Sequence, residues 1–194
     1  MAAAMVAGFA FLLVVSPVLV HGDPGNDLMK AIKANQNLTL FHQALVATGY
    51  SKQLITLVND KPVTIFAPVD YAVNEAVTGA VSWDCLTTGK AGKAALKESL
   101  KHTVINGTFH TVWNLTETKE VTPADGSVIE VTFDSATSSI TLISAISEVH
   151  IIGPEAIVME NAIVHLVDGV LITEAIDEKM MLACSIASMA LPSS

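Results

Sequence analysis

The amino-acid sequence predicts an α+β domain, with helices in its first half and mostly antiparallel strands in its second. Apolar residues recur at helical spacing in most segments before Thr108, and from there onward they alternate with polar residues. A run of helices followed by a run of strands is typical of the α+β class. The residues after position 22 are enough for one sizeable hydrophobic core and too few for two.

The first 22 residues have the composition of a secretory signal peptide. They are mostly apolar, carry no charged side chain and end in the small residue Gly22. Because the segment has no basic residue near its start, an uncleaved membrane anchor is the alternative. Pro17 and the polar stretch that begins at His21 favour cleavage, so we expect the protein to be secreted and extracellular.

Three helices are predicted before residue 60. Each has apolar residues on one face: Leu28, Met29 and Ile32 in the first, Leu38, Phe41, Ala44 and Leu45 in the second, and Leu54, Leu57 and Val58 in the third. Gly49 is placed to end the second helix, and Ser51 is placed to cap the third. The polar residues 59–62 end in proline and stop the third helix.

A strand, a helix, a loop and a second helix are predicted for the middle of the chain. Residues 63–68 (VTIFAP) form a short run rich in β-branched residues, which is typical of a strand. The Asp70 side chain is placed to cap a helix that ends near Gly79. Residues 89–93 are predicted as a loop, after which Leu96 and Leu100 resume helical spacing.

Four strands are predicted in the second half, at residues 127–133, 138–144, 148–152 and 161–172. The last (NAIVHLVDGVLI) is apolar on both faces, so we expect it in the middle of the sheet. It contains His165 and Asp168, a pair that raises the question of an active site. Side chains three residues apart in a strand point to opposite faces, so a direct pair would need a bulge, which Gly169 could provide. We expect each side chain to bond to a different neighbour.

The C-terminal residues 174–194 form a tail of helix-forming composition. We predict a helix docked on the domain, because the tail has too short an apolar stretch to span a bilayer. It also lacks the clear polar spacer that a lipid-anchor signal requires. Membrane attachment, through this tail or through an uncleaved first segment, is the alternative to a freely secreted protein.

Charge and motif content exclude several classes of function. The formal net charge is −9 and the sequence contains no arginine, so the chain would repel phosphate backbones and we expect no nucleic-acid partner. It contains no H-E-x-x-H, G-x-S-x-G, P-loop or dinucleotide motif, and its six histidines do not fall at metal-ligand spacing. We therefore expect no catalytic residue, no cofactor and no metal.

Sequons and cysteines fit an oxidising, extracellular compartment. Three candidate glycosylation sequons begin at Asn37, Asn106 and Asn114, and none has proline in its middle position. Cys85 and Cys184 are the two cysteines, and no C-x-x-C motif is present. They form either one disulfide or two unpaired thiols, because sequence alone does not give the distance between them.

Two segments resemble the hallmark motifs of the fasciclin (FAS1) family. Thr64–Ala76 (TIFAPVDYAVNEA) resembles the family's Thr-Val-Phe-Ala-Pro-Thr-Asn/Asp-x-Ala-Phe pattern, and residues 161–172 resemble its Asn-Gly-x-Ile/Val-His-x-Ile-Asp-x-Val-Leu pattern. Between them, residues 100–109 (LKHTVINGTF) are similar to the family's Tyr-His region, and residues 38–54 are similar to its opening helices. The resemblance runs from about Asn26 to Ile172.

The resemblance implies a FAS1-type β-sheet wedge over residues 23–173, with N-terminal helices packed against it. The two hallmark segments would be neighbouring central strands. It also implies a secreted, non-enzymatic module of cell adhesion or extracellular-matrix contact, whose partner is an extracellular protein or glycan. Six residues match the motifs and are expected mainly to form the framework of the fold: Phe66, Pro68, Asp70, His102, Asn161 and His165.

The chain departs from the family pattern at several motif positions. Lys101 stands where the family has a tyrosine before the histidine, and Val69 and Val73 replace two residues of the first motif. Some animal members bind integrins through an Asp-Ile pair before the second motif, and this chain has Ala156 in place of that aspartate. The match to an integrin-binding site is therefore incomplete.

Two hypotheses for a binding site remain after these departures. Glu155 carries a carboxylate one position before Ala156, which replaces the family's aspartate, and Ile157 follows Ala156. Glu155 and Ile157 are therefore candidate partner contacts. The alternative is a small-ligand-binding or catalytic member of the family that uses a pocket lined by His102 and His165. The two hypotheses differ in whether the histidine rings are packed in the core or line a cavity.

Overall fold

The computed structural model describes residues 22–77 and 81–189. The predicted signal peptide therefore lies outside the described residues, apart from Gly22. The helices are α1 (Pro24–Ala34), α2 (Thr39–Ala47), α3 (Tyr50–Asp60), α4 (Asp70–Ala76), α5 (Trp83–Thr88), α6 (Lys90–His102), α7 (Val112–Glu117) and α8 (Glu174–Met189). The strands are β1 (Val63–Pro68), β2 (Val104–Asn106), β3 (Glu120–Val121), β4 (Ile129–Asp134), β5 (Ser139–Ser144), β6 (Ser147–Val158) and β7 (Ala162–Val167).

The strands form one seven-stranded sheet in the order β2-β1-β7-β6-β5-β4-β3. β1 and β7 run parallel, whereas the other neighbouring strands are antiparallel. The two hallmark segments thus pair directly, with Phe66 opposite His165. The predicted α+β class and the sheet-with-helices architecture are confirmed.

Two hydrophobic clusters lie on the two faces of the central strands. All six residues of β1 and all six of β7 are buried, which explains why both segments are apolar throughout. Ile65 and Val164 belong to the larger cluster, which also includes buried residues of α1 to α6 and α8. Phe66 follows Ile65 in β1, and Val167 lies three residues after Val164 in β7, so both point to the opposite face of the sheet. They belong to the smaller cluster, together with residues of α7, β4 and β5.

β6 is the strand that joins the two halves of the sheet. Its first part pairs with β5 and its later part with β7, with irregularities on either side of Gly153. A Cβ atom at Gly153 would lie 2.8 Å from the Leu166 side chain, so only glycine fits there without a shift. Glu155 lies in the second irregularity and has a φ of 51°, a left-handed conformation uncommon for a residue with a side chain.

The loop predicted at residues 89–93 is wrong, and α5 was not expected at all. Gly89 alone separates α5 from α6, which begins at Lys90. Gly92 lies inside α6 because α5 approaches closely: a Cβ atom there would lie 2.1 Å from the carbonyl oxygen of Cys85. Gly92 is therefore a packing residue between two helices.

The N-cap predicted at Ser51 is also wrong. Gly49 has a φ of 68°, which lets it follow the last turn of α2 as predicted and lead directly into α3 at Tyr50. Ser51 is consequently the second residue of α3. α4 ends at Ala76, earlier than predicted, and Gly79 is not among the described residues.

Two elements after residue 103, β2 and α7, were not predicted from the sequence. β2 is an edge strand that pairs with β1. α7 is a short helix that begins with a capping box, in which Thr111 and Asn114 satisfy each other's backbone N–H groups. The sequence pattern T-x-x-N is a variant of this box, so the start of α7 had a readable signal.

The C-terminal segment forms α8, which packs against α5 and α6. A disulfide joins Cys85 of α5 to Cys184 of α8, at a sequence separation of 99 residues. Of the helices in the described part of the chain, none combines the length and apolar character needed to cross a membrane.

Candidate functional site

His165 is a buried junction between three segments of the chain. Its side chain is 0 % exposed and its ring stacks on Phe66 with centroids 5.8 Å apart. The backbone N–H of Glu155 donates to its Nδ1 atom at 3.1 Å, and its Nε2–H donates to the carbonyl oxygen of His110 at 2.8 Å. This pattern assigns a neutral ring protonated at Nε2, because Nδ1 must act as an acceptor.

The surroundings of His165 also lower its pKa. Burial is the largest cause, and it outweighs the hydrogen bond to the His110 carbonyl and the nearby Glu155 charge, both of which act in the opposite direction. Burial likewise lowers the pKa of His110. Both rings therefore favour the neutral state in the folded protein.

His102 lies in a second buried hydrogen-bonded group. Its Nδ1 atom lies 2.9 Å from Asp125 Oδ2 and 2.8 Å from Ser127 Oγ, and its Nε2 atom lies 2.8 Å from Ser144 Oγ. A carboxylate can only accept, so Nδ1–H donates to Asp125, and in the neutral ring Nε2 accepts the Ser144 hydroxyl. Burial raises the pKa of Asp125, but hydrogen bonds from Ser127 and the neighbouring His102 outweigh it and leave that pKa below the ordinary value.

The connection Ser144–His102–Asp125 resembles that of a nucleophilic triad, yet it lacks room for a substrate. His102 is 0 % exposed and Ser144 is 5 % exposed. A catalytic serine must face a space that admits an acyl group and its oxyanion donors. These buried bonds instead tie α6 to β5 and to the turn at Asp125, so they hold the fold together.

Asp70 has a structural role other than the predicted one. Its Oδ1 atom accepts the backbone N–H of Leu40 at 2.8 Å, and its own N–H donates to the carbonyl oxygen of Asn37 at 2.9 Å. Asp70 therefore satisfies the first turn of α2, not of α4, where it is the first residue. Its prediction as the cap of its own helix is wrong because the two helix starts lie side by side.

The remaining framework residues lie at the ends of the paired central strands. Pro68 is the last residue of β1. At this position the missing N–H of proline does not cost the sheet a hydrogen bond. Asn161 precedes β7, and its carbonyl oxygen accepts the N–H of Val63 at 2.9 Å, at the start of β1. Pro68, like Phe66 and the two histidines, is buried, and Asn161 is partly buried.

Glu155 and Ile157, the candidate partner contacts, both have partners inside the protein. Glu155 Oε1 accepts the N–H of Val112 at 2.9 Å, which places a carboxylate at the positive start of α7. Ile157 is partly buried against the larger hydrophobic cluster. Glu155 is solvent-exposed despite this bond, so a partner could still reach its second carboxylate oxygen.

The most prominent exposed side chain near Glu155 is Trp113, which is 73 % exposed. It follows Val112 in α7, and the next residue but one, Leu115, is fully buried and anchors the helix. Along β6, Ile152 and Val158 flank Glu155 in sequence and are 49 % and 56 % exposed. We call Trp113, Glu155, Ile152 and Val158 the α7–β6 surface.

His150 and Asp168 form a separate, partly exposed pair. Asp168 accepts the backbone N–H of His150 at 2.6 Å, and the His150 Nδ1 atom lies 3.1 Å from the same carboxylate. Asp168 thus bonds to His150 on β6, whereas His165 bonds to Glu155 and His110. Within residues 22–77 and 81–189, no group of three or more His, Cys, Asp or Glu side chains is arranged to hold a metal.

The three candidate glycosylation sites all begin at solvent-exposed asparagines. Asn37 lies between α1 and α2, Asn106 ends the edge strand β2, and Asn114 is in the first turn of α7. The Oδ1 atom of Asn114 accepts bonds from Thr111, which leaves its Nδ2 atom, the site of sugar attachment, outside the capping bonds. Use of the three sequons stays a prediction.

Sequence reasoning missed four residues that shape these sites: His110, Asp125, Ser144 and Trp113. His110 acts through its backbone carbonyl, which has no signature in sequence. The bond of Asp125 to His102 depends on how distant segments meet. The capping box around Trp113 was the one local signal that could have placed this tryptophan on a helix.

Comparison with known proteins agrees with this arrangement. The sequence model of the fasciclin domain matches residues 36–173, from just before α2 to the residue before α8. No curated protein matches the chain. Among solved structures it is similar to the FAS1 domain pair from the insect cell adhesion molecule fasciclin I, with a TM-score of 0.60 and 13% identity over 77% of this chain and 51% of that chain.

The chain spans about half the length of that solved protein, and at this level of identity the similarity concerns the fold. The family match covers the motif strands, His102 and His165, together with the sheet between them. α1 and α8 lie outside the matched residues. With the domain match extending over most of the sequence, the chain belongs to the fasciclin family.

Proposed function

We propose that this chain is a secreted, non-enzymatic fasciclin module that binds an extracellular protein or glycan at the cell surface or in the matrix. The similar solved structure comes from a cell adhesion molecule, which supports an adhesive function. The predicted signal peptide, the sequons and the disulfide are in keeping with an oxidising, extracellular location.

The exposure of Trp113 is the observation that carries the proposal. Tryptophan is among the residues most enriched at the energetic centres of protein interfaces, and a side chain 73 % exposed is free to enter a partner. α7 holds it rigidly, because Leu115 is buried, Thr111 and Asn114 cap the helix, and Glu155 binds its first N–H. A preorganised aromatic side chain loses little entropy on binding.

The alternative of a histidine-lined pocket has less support. Both His102 and His165 are 0 % exposed, so neither ring faces a space large enough for water. Their ring nitrogens bond to protein groups that are themselves part of the fold. We therefore assign these rings to the framework and propose that binding takes place on the α7–β6 surface.

A cell-attachment assay tests the proposal. The chain is produced in a secretory host, purified, coated on a surface and incubated with cells of the organism that makes it. We expect saturable attachment above a blank surface. Trp113→Ala should raise the coating concentration for half-maximal attachment about thirtyfold, the effect of losing a contact worth about 2 kcal/mol.

Leu182→Ala is the matched control, since Leu182 is also a large exposed apolar residue (63 %) but lies on α8. It should leave attachment unchanged. Attachment no greater than on a blank surface would contradict the adhesive function. Equal losses in the two variants would contradict the assignment to the α7–β6 surface.

A further inference from the structure

An apolar cavity of about 290 Å³ lies among the helices, and neither buried histidine and no residue of the α7–β6 surface lines it. α2, α4, α5, α6 and α8 all contribute to its walls, and it lies next to Pro68 and Val170, beyond the carboxyl ends of β1 and β7. Its apolar lining includes Phe41, Trp83 and Met180. Its size is at the lower end of the range for small-molecule sites, which is about 300–1,000 Å³.

One polar side chain in this cavity has no protein partner. Ser99 on α6 is only 4 % exposed and lines the cavity. Within the described residues its hydroxyl makes no hydrogen bond, whereas every fully enclosed polar side-chain atom there has a partner. The Ser99 hydroxyl is therefore open to the cavity. Buried hydroxyl groups are normally satisfied, so an unpaired one that faces a cavity is available to bond a polar group of a ligand.

Charge narrows the class of ligand. Of the described residues that line the cavity, Asp177 is the one with a charge, and it lies on the exposed side of α8. No lysine or histidine of the described part contributes to the walls. A carboxylate or phosphate would thus meet a negative side chain on a protein whose net charge is −9.

From these observations we propose that the cavity binds an uncharged, mostly hydrocarbon molecule with one hydroxyl group, the chemistry of a lipid alcohol. The hydrocarbon part contacts the apolar walls, and the hydroxyl group bonds to Ser99. The disulfide between Cys85 and Cys184 links α5 to α8, two of the helices that form the walls, and so keeps the cavity formed without ligand.

Trp83 provides the signal for a binding test. The chain contains two tryptophans, and Trp113→Phe leaves Trp83 as the sole one. This variant is titrated with decan-1-ol and with decanoate, and the emission of Trp83 is followed. We expect a saturable change with decan-1-ol and at least tenfold weaker binding of decanoate. Absence of a saturable change with the alcohol, or equal affinity for both, would overturn the proposal.

Two further variants test the residues of the site. Ser99→Ala should weaken decan-1-ol binding about fivefold, the loss of one hydrogen bond, while Ser51→Ala on α3 should leave it unchanged. Ala44→Leu fills the cavity from α2, so it should abolish binding and raise the melting temperature. Unchanged affinity in Ser99→Ala, or a lowered melting temperature with binding retained in Ala44→Leu, would contradict the assigned site.

Discussion

The imidazole of His165 joins three parts of the fold through one ring. It accepts the N–H of Glu155, donates to the carbonyl of His110 and stacks on Phe66. His165→Ala would leave two partly buried backbone groups without a partner and a void beside Phe66. We expect the free energy of unfolding, measured by urea denaturation, to fall by about 3–5 kcal/mol.

His150→Ala is the matched control, because His150 is about half exposed and pairs with Asp168 near the protein surface. Its loss should cost about 1 kcal/mol or less, as is usual for exposed pairs. If the two alanine variants were equally stable, His165 would not be the buried junction described above.

The lowered pKa of His165 predicts a dependence of stability on pH. The unfolded chain takes up a proton below the ordinary pKa of 6.5, whereas burial keeps the folded ring neutral to lower pH. Stability should therefore be constant above pH 6.5 with respect to this group and fall as the pH is lowered toward the folded pKa. His110 and His42, whose pKa values burial also lowers, act in the same direction.

Urea denaturation at pH 8, 7, 6 and 5 measures this effect. His165→Asn should show a smaller loss between pH 7 and pH 5 than the wild type does. A free energy of unfolding that increases as the pH is lowered from 7 to 5 would contradict a neutral buried His165.

The direction in which a side chain points was predictable from strand geometry. Its hydrogen-bond partner was not, because the partner depends on how strands distant in sequence pair. The alternation of side chains in β7 predicts separate partners for His165 and Asp168. In the structure His165 is hydrogen-bonded to Glu155, and Asp168 is hydrogen-bonded to His150. The identity of those partners depends on the bulged pairing of β6 with β7. No local sequence pattern encodes that pairing.

At the scale of secondary-structure elements, the start of α2 depends on a residue thirty positions away. Asp70 accepts the N–H of Leu40, one of the groups that a helix leaves unsatisfied in its first turn. Asp70→Ala should lower the free energy of unfolding by about 1–2 kcal/mol, whereas Asp70→Asn should retain most of it, since asparagine also caps helices well. Equal losses in the two variants, measured by urea denaturation, would argue against a capping role.

The disulfide gives α8 its strongest connection to the rest of the domain. It closes a loop with a sequence separation of 99 residues, and loops of this length are expected to contribute about 3–5 kcal/mol. A double variant, Cys85→Ala with Cys184→Ala, should lose that amount in urea denaturation. A reducing agent should destabilise the wild type and leave the double variant unchanged; an equal response of both proteins would contradict the bridge.

Elements with a strong apolar period were predictable, and those with a mixed local signal were not. The helical spacing in α1 to α3 and the alternation in β4 and β5 identify these elements directly. Residues 89–93 were predicted as a loop, yet they include Gly92, which the tight packing of α5 on α6 requires inside α6. The six-residue α7 lies within a region whose apolar residues otherwise alternate, so the strand period concealed it.

At the scale of the whole molecule, the parallel pairing of β1 with β7 organises the domain. About half of the chain lies between these strands, and their two faces contribute to the two hydrophobic clusters. The order of helical and alternating segments predicts the α+β class, whereas the adjacency of the two strands came from the resemblance of both segments to known motifs. Long-range pairing of this kind has no local signal, because any two apolar strands satisfy the same pattern.

The central claim is that the buried histidines maintain the fold while the α7–β6 surface binds the partner. The most direct test is cell attachment to His165→Ala, normalised to the folded fraction that near-ultraviolet circular dichroism gives at the assay temperature. We predict attachment per folded molecule within about twofold of wild type, since a structural residue alters the amount of folded protein and not its surface. A His165→Ala protein that melts like the wild type but no longer supports attachment would contradict the claim.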